Sequence, residues 1–320
     1  MSWTWGSDGS LNLGGMKQSE EQAALLALLL GKRVRWRDVA ERVLDSAGAA
    51  HVLRDAFGDQ DTLFDVDQGP MEVALAEARQ LLSRCASEKV GVHAFWDGSY
   101  PTQLRDVHEM PPLIFTRGTV LAEEQRSIAV VGSRKASEHG LAVAGSIARR
   151  LTQENITVVS GLAAGIDTVA HRTALDHGGR TVAVLGTGIN RFYPSENRRL
   201  QDEIADKGLL ISQFLPDAAP TKKSFPMRNA VMSGYAAATI VVEAGEHSGA
   251  RIQARMALKH GRPVILPREL LRNQWVRDYE RRPGVHLVSD IEELMCAVRS
   301  IMADAEVKPE ELVGEAELVW

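Results

Sequence analysis

The chain has 320 residues, of which 44% are hydrophobic, and a formal net charge of −5 at pH 7. That length holds one ordinary α/β domain plus a smaller one. The only cysteines, Cys85 and Cys296, stand far apart in helix-like segments, which excludes a disulfide framework and points to a cytoplasmic setting.

In chain order, residues 1–18 are rich in Gly, Ser and Asn, lack periodicity and read as a disordered leader. Residues 19–90 carry apolar side chains at three- and four-residue spacing (Leu25, Leu26, Leu29; Val39, Val43, Leu44; Val73, Leu75, Leu81, Leu82), which predicts a small bundle of short helices. Its most apolar stretch, Ala23 to Leu30, is too short to span a bilayer and follows Glu20 and Glu21 where a signal sequence has basic residues, so no membrane contact is expected.

A second domain is expected over 91–302. It opens on a connector whose Tyr100-Pro101 and Pro111-Pro112 force extended backbone, while Phe95, Trp96 and Phe115 offer anchors for packing. Strand-like and helical patterns then alternate: 127–132, a helix to about 154, 156–160, a helix to 177, 181–186, a helix to 207, then 208–214. After a Pro-rich loop come a helix from about 228, strand 239–243, a helix over 249–260, strand 263–267, and a last strand and helix within 285–302. This alternation predicts an α/β fold with a doubly wound, mostly parallel, Rossmann-like sheet. Residues 303–320 form a tail with six acids against the single Lys308.

Four of the apolar runs break into Gly/Ser-rich turns: SIAVVGSRK, TVVSGLAAGID, TVAVLGTGIN and TIVVEAGEHSG. In a doubly wound sheet such turns share the rim at the strands' carboxyl ends, where backbone N–H groups and helix N-termini can meet an anion. In the first turn Gly132 and Ser133 open the backbone, and Arg134, followed by Lys135, offers donors to a phosphate. The second adds Ser160, Gly161 and Gly165 ahead of Asp167, read as the cap of the helix that carries His171; the histidine reads as a hydrogen-bonded core residue.

In the third turn Gly186 and Gly188 begin a GxG, but Arg191 stands where a dinucleotide fingerprint needs its third glycine, and that reading is rejected. The cations Arg198 and Arg199 follow. The string KKSFPMRN joins Lys222, Lys223, Phe225, Arg228 and Asn229, a mixture of cations, aromatic platform and amide suited to a single-stranded backbone and its bases. The last turn puts Ser248-Gly249 at a helix start, with Arg251 and Arg255 one turn apart.

Charge is distributed unevenly. From Arg126 to Arg268 there are 19 Lys and Arg against 11 Asp and Glu, a balance of +8, and the remainder of the chain stands at −13. A basic domain can follow a phosphate backbone although the whole protein is acidic, because screening limits each charge's reach to about 8–10 Å. No GxxxxGK[ST], GxSxG, HExxH or CxxC occurs, so no catalytic residue, metal site or cofactor is assigned. Binding is the expected task.

From Asp97 to about Pro267 the ordered strings DGSYPTQLRDVHEMPPLIFTRG, GSR, SGLAAGID with Ala170-His171, AVLGTG, YPSEN, FPMRN and VVEA with Ser248-Gly249 resemble the DprA/Smf family of DNA-processing proteins. The resemblance implies an extended Rossmann-like domain that binds single-stranded DNA, forms homodimers and loads a RecA-type recombinase. It also implies Arg134 on phosphate, Arg198 or Arg199 as the cation after YPSEN, and Arg228-Asn229 completing the groove. The chain departs from the family pattern at Gln213 (usually Glu), Ala230 (usually basic), Arg251 and Gln253 (an aliphatic residue and Thr) and Pro267-Arg268 (Pro-Gly). The N-terminal helices lack a Gly-rich hairpin and the acidic tail leaves no room for a winged helix, so a shortened, diverged member is expected. Two alternatives stay open. One is a regulatory or antitoxin subunit paired with a toxin enzyme in phage defence. The other is a nucleotide-binding or phosphoribohydrolase-like protein, although EAGEHSGARIQAR lacks the second glycine pair and the Glu of a PGGxGTxxE string.

Overall fold

A computed structural model of the protein describes residues 15–31, 34, 36–57, 69–121 and 124–306. The first helix, α1 (Gly15–Gly31), begins inside the stretch read as a leader, and the last, α11 (Ile291–Glu306), takes in the start of the acidic tail. Residues 1–14 and 307–320, the remainder of those two segments, lie outside the described residues.

Helices α2 (Trp36–Leu44), α3 (Ala49–Phe57) and α4 (Pro70–Ser87) complete the N-terminal bundle with α1. The three-four spacing puts Leu25, Leu26, Leu29, Val39, Val43, Val52 and Leu53 into its core, and Pro70 opens α4 where a missing N–H costs nothing. Leu44 and Val73 belong to the same periodic sets but are 39% and 46% exposed, because each lies on an end turn of its helix, past the packed stripe. The apolar cluster runs without a break from this bundle through Phe95, Trp96 and Tyr100 to one face of the sheet. A polar tie reinforces the junction: Gln18 and Gln22 donate to the two Asp97 carboxylate oxygens at 2.8 and 2.9 Å.

The connector contributes more than extended backbone. It supplies β1 (Gly91–Ala94) and β2 (Leu113–Gly118), an antiparallel pair whose second strand adds to the sheet antiparallel to β6 (Leu209–Ser212), with Phe115 opposite Ser212. The other strands, β3 (Ser127–Val131), β4 (Thr157–Ser160), β5 (Thr181–Val184), β7 (Ala238–Val241), β8 (Val264–Pro267) and β9 (Val285–Val288), run parallel with β6. The nine strands lie in the order β1-β2-β6-β5-β4-β3-β7-β8-β9. The fold is therefore α/β and doubly wound, with a mostly parallel sheet.

The connecting helices are α5 (Glu138–Gln153), α6 (Ile166–Asp176), α7 (Arg198–Lys207), α8 (Ser224–Tyr235), α9 (Gly249–Lys259) and the short α10 (Gln274–Arg277). Alternation along a strand sends neighbours to opposite faces. Ile128 and Val130 join α5, α6 and α11 through Ile147, Ala170 and Val298, whereas Ala129 and Val131 join the core that holds Val231 and Met232 of α8 and Ala254 of α9. Burial on both faces explains why the strands read as unbroken apolar runs.

From β3 the chain winds through β4, β5 and β6 on one side, then returns to place β7 on the other side of β3. The loops leaving β3 and β7 diverge there, and such a reversal point opens a crevice at the strands' carboxyl ends. Among the described residues no helix is long and apolar enough to cross a membrane.

Candidate functional site

At this reversal point lies a cleft of about 620 Å³. Of the residues singled out in the sequence, it is lined by Gly132, Ser133, Arg134 and Lys135 after β3, by Phe225, Arg228 and Asn229 on α8, and by Ser248 and Gly249 at the start of α9. The β3 turn is tightly held. Ser133 N–H donates to the Glu243 carbonyl at 2.8 Å, Ser133 Oγ accepts from Lys135 N–H at 3.1 Å, and a Cβ on Gly132 would press into Ile166 and the Glu243 carbonyl. The side chains of Arg134 and Lys135 are left exposed.

Two helix N-termini approach this region, and they are used differently. At α9, Ser248 Oγ accepts from Ala250 N–H at 3.2 Å, and the positive end of the helix dipole faces the cleft. At α5, the helix that follows β3, the Glu243 side chain has taken the place of an anion. Its two oxygens each accept from Ser137 N–H at 3.2 Å, and one also accepts from Ser137 Oγ–H at 2.5 Å. The helix end where a Rossmann dinucleotide site holds its pyrophosphate is thus filled by the chain itself.

The second glycine loop builds the cleft without lining it at its predicted positions. Ser160 Oγ is spent on the Val130 carbonyl at 2.6 Å. Gly165 has φ +79°, and a Cβ there would overlap the Ser133 and Arg134 carbonyls. Gly161 makes room for Arg228, whose guanidinium lies where its side chain would be. Arg228 is only 5% exposed. Its Nη1 donates to the Val184 carbonyl at 3.0 Å, and its buried Nε has no hydrogen-bond partner among the described residues.

Asp167 is not the helix cap that the sequence suggested. Gly165 holds that position without a side-chain bond, and Asp167, inside the first turn of α6, accepts from the Gly161 and Ala163 amides at 3.1 and 3.3 Å. The loop curls back, so its own amides lie nearer the carboxylate than those of the helix. Burial raises the Asp167 carboxyl above its ordinary value against the pull of Arg228, and burial likewise lowers the Arg228 guanidinium. His171 is the core histidine expected: fully buried, Nδ1 2.6 Å from Thr181 Oγ1, its pKa brought down by burial to about 3.

The third glycine turn seats an aromatic ring. Phe225 lies against Gly186, where a Cβ would meet its Cδ1 at 2.7 Å, and Ser224 Oγ donates to the Gly186 carbonyl at 2.6 Å. Gly188 lies under the backbone of 215–218, which leaves it no phosphate to approach. The Arg134 guanidinium stands 5.2 Å from the Phe225 ring centre, and Tyr193 meets the same ring at 5.4 Å.

One residue earlier, Phe192 carries Arg198 at 4.6 Å. Asn197 holds this loop to the second glycine loop by donating to the Leu162 carbonyl and Thr168 Oγ1, both at 2.9 Å. Arg198, Arg199, Lys222 and Lys223 are exposed and do not line the cleft. Arg251 also lies outside it, with Nη1 3.2 Å from the Glu246 carbonyl. Sequence reasoning missed Glu243 and Tyr193. An acid after a strand and a Tyr before a Pro carry no periodic signal that separates a site residue from a loop residue.

A family model described as DNA recombination-mediator protein A matches residues 91–304. DNA processing protein DprA of Streptococcus pneumoniae is 41% identical over 169 residues, covering 53% of this chain and 60% of that protein. DprA of Bacillus subtilis is 36% identical over 167 residues, 52% of this chain and 56% of the relative. The chain spans about half the length of the curated relatives it matches.

Among solved structures, the X-ray structure of S. pneumoniae DprA superposes with a TM-score of 0.61 at 30% identity, covering 86% of this chain and 92% of that one. DNA processing protein A of Helicobacter pylori, studied for its single-stranded DNA binding mode, shares the fold at a TM-score of 0.58 and 21% identity, covering 67% and 96% of the two chains. The family match runs from β1 into α11 and so takes in the whole sheet and every element of the cleft; the chain belongs to the DNA recombination-mediator protein A (DprA/Smf) family.

Proposed function

We propose that this chain is a non-enzymatic binder of single-stranded DNA, holding phosphates at the β3 turn and the α9 N-terminus and stacking bases on Phe225. The observation that carries this reading is Arg134 set over Phe225 in a cleft that the N-terminal end of α9 also lines. Cation, aromatic face and backbone donors in one trough serve a charged polymer with flat, unpaired bases. The H. pylori relative, studied for the same ligand, supports the reading. Against the phosphoribohydrolase alternative stands Asp167, the carboxylate of the cleft, which is buried and committed to two amides. Homodimerisation and loading of a RecA-type recombinase are proposals that rest on family membership.

Titration of a labelled oligo(dT) across a salt series tests the reading. The logarithm of affinity should fall with that of salt by about 0.7 for each phosphate held. Affinity independent of salt would overturn it. Recovery of the native protein from its own cells, with and without nuclease, separates bound nucleic acid from a recombinase or a toxin partner.

A further inference from the structure

We infer that Tyr193 forms, with Phe225, a stepped stacking platform that carries unpaired nucleobases out of the cleft toward Arg198; this rests on the single-strand reading above. Tyr193 is 42% exposed and its hydroxyl makes no hydrogen bond among the described residues, so the ring itself is what the loop presents. Its centre lies 5.4 Å from that of Phe225, with the planes at 43°.

One cation stands against the pair, and a second stands against the ring that precedes Tyr193 in the chain. Arg134 lies 5.2 Å from the Phe225 ring, and Arg198 sits over Phe192, the residue next to Tyr193. The loop is tied down on either side of the ring: Gln201 Nε2 donates to the Arg191 carbonyl at 3.0 Å, and Asn197 is bonded as described above. A partly exposed ring packed on Phe225, which in turn carries Arg134, matches a polyanion that alternates phosphates with flat bases.

The experiment compares wild type, Tyr193→Ala and Tyr193→Phe on an oligo(dT) and on an abasic strand of equal length. Tyr193→Ala should weaken oligo(dT) binding about tenfold, leave the abasic strand unaffected and keep the salt slope, while Tyr193→Phe should stay within about twofold of wild type. Unchanged oligo(dT) affinity in Tyr193→Ala, or an equal loss on the abasic strand, overturns the proposal while the single-strand reading stands. Wild type that binds neither strand overturns that reading itself, before any substitution is considered.

Discussion

The guanidinium of Arg228 occupies the space that a side chain on Gly161 would need, so a helix residue and a loop residue far apart in sequence share one volume. Gly161→Ala must therefore move Arg228 away from the Val184 carbonyl and from Asp167. Loss of that buried, charge-assisted hydrogen bond should lower stability by about 1–3 kcal/mol. Urea unfolding checks it: the midpoint should fall with the slope unchanged, and a midpoint equal to wild type would refute the shared volume.

Arg134 reaches solvent from a rigid turn and should hold one phosphate. Arg134→Ala should reduce the salt slope by about 0.7, the share of one contact to a single strand. Arg134→Lys keeps the charge but loses the planar group over Phe225, so it should retain the slope at a lower affinity. Both follow from the same oligo(dT) salt series.

Glu243 acts as the anion of α5. Glu243→Gln keeps the shape but removes the charge that faces the Ser137 amide and the positive end of the helix dipole. The expected loss is about 1–2 kcal/mol in unfolding free energy, read by denaturant titration at low salt. A neutral effect would show that the contact is steric only.

His171 is buried neutral, its pKa depressed from 6.5 to about 3. The unfolded chain binds this proton below pH 6.5 and the native chain does not until about pH 3, so stability falls as pH drops through that window. The slope from this residue is about 1.4 kcal/mol per pH unit. His171→Asn, which can still reach Thr181 but does not titrate, should flatten the stability-versus-pH curve between those limits. Parallel curves for the two proteins would refute the assignment.

The parallel strands were legible because both faces of the sheet are covered, which writes each of them as an uninterrupted apolar run. β1 and β2 were not, since GVHA and LIFTRG lie in a Pro-punctuated segment whose pairing partner, β6, comes much later in the chain. The convergence of the glycine turns was legible from topology alone. The direction of each side chain was not: α8 exposes Met227 at 41% and buries Arg228 at 5%, the reverse of what hydropathy predicts. Only the hollow left by Gly161 explains that inversion, and a hollow is a three-dimensional property. Arg198 and Lys222, singled out for their charge, are exposed and lie outside the cleft, a placement that charge alone does not encode.

The internal carboxylate at the head of α5 also bears on which ligands can compete. A small nucleotide gains most of its grip from one strong phosphate seat, and here that seat is held permanently by an occupant that cannot diffuse away. What remains under the proposed reading are the α9 N-terminus and Arg134 at the cleft, with Arg198 exposed beyond it. Under the proposed reading, only a chain long enough to use several at once is retained, so self-occupancy at one helix end becomes a filter that favours polymer over the abundant free nucleotides of a cell.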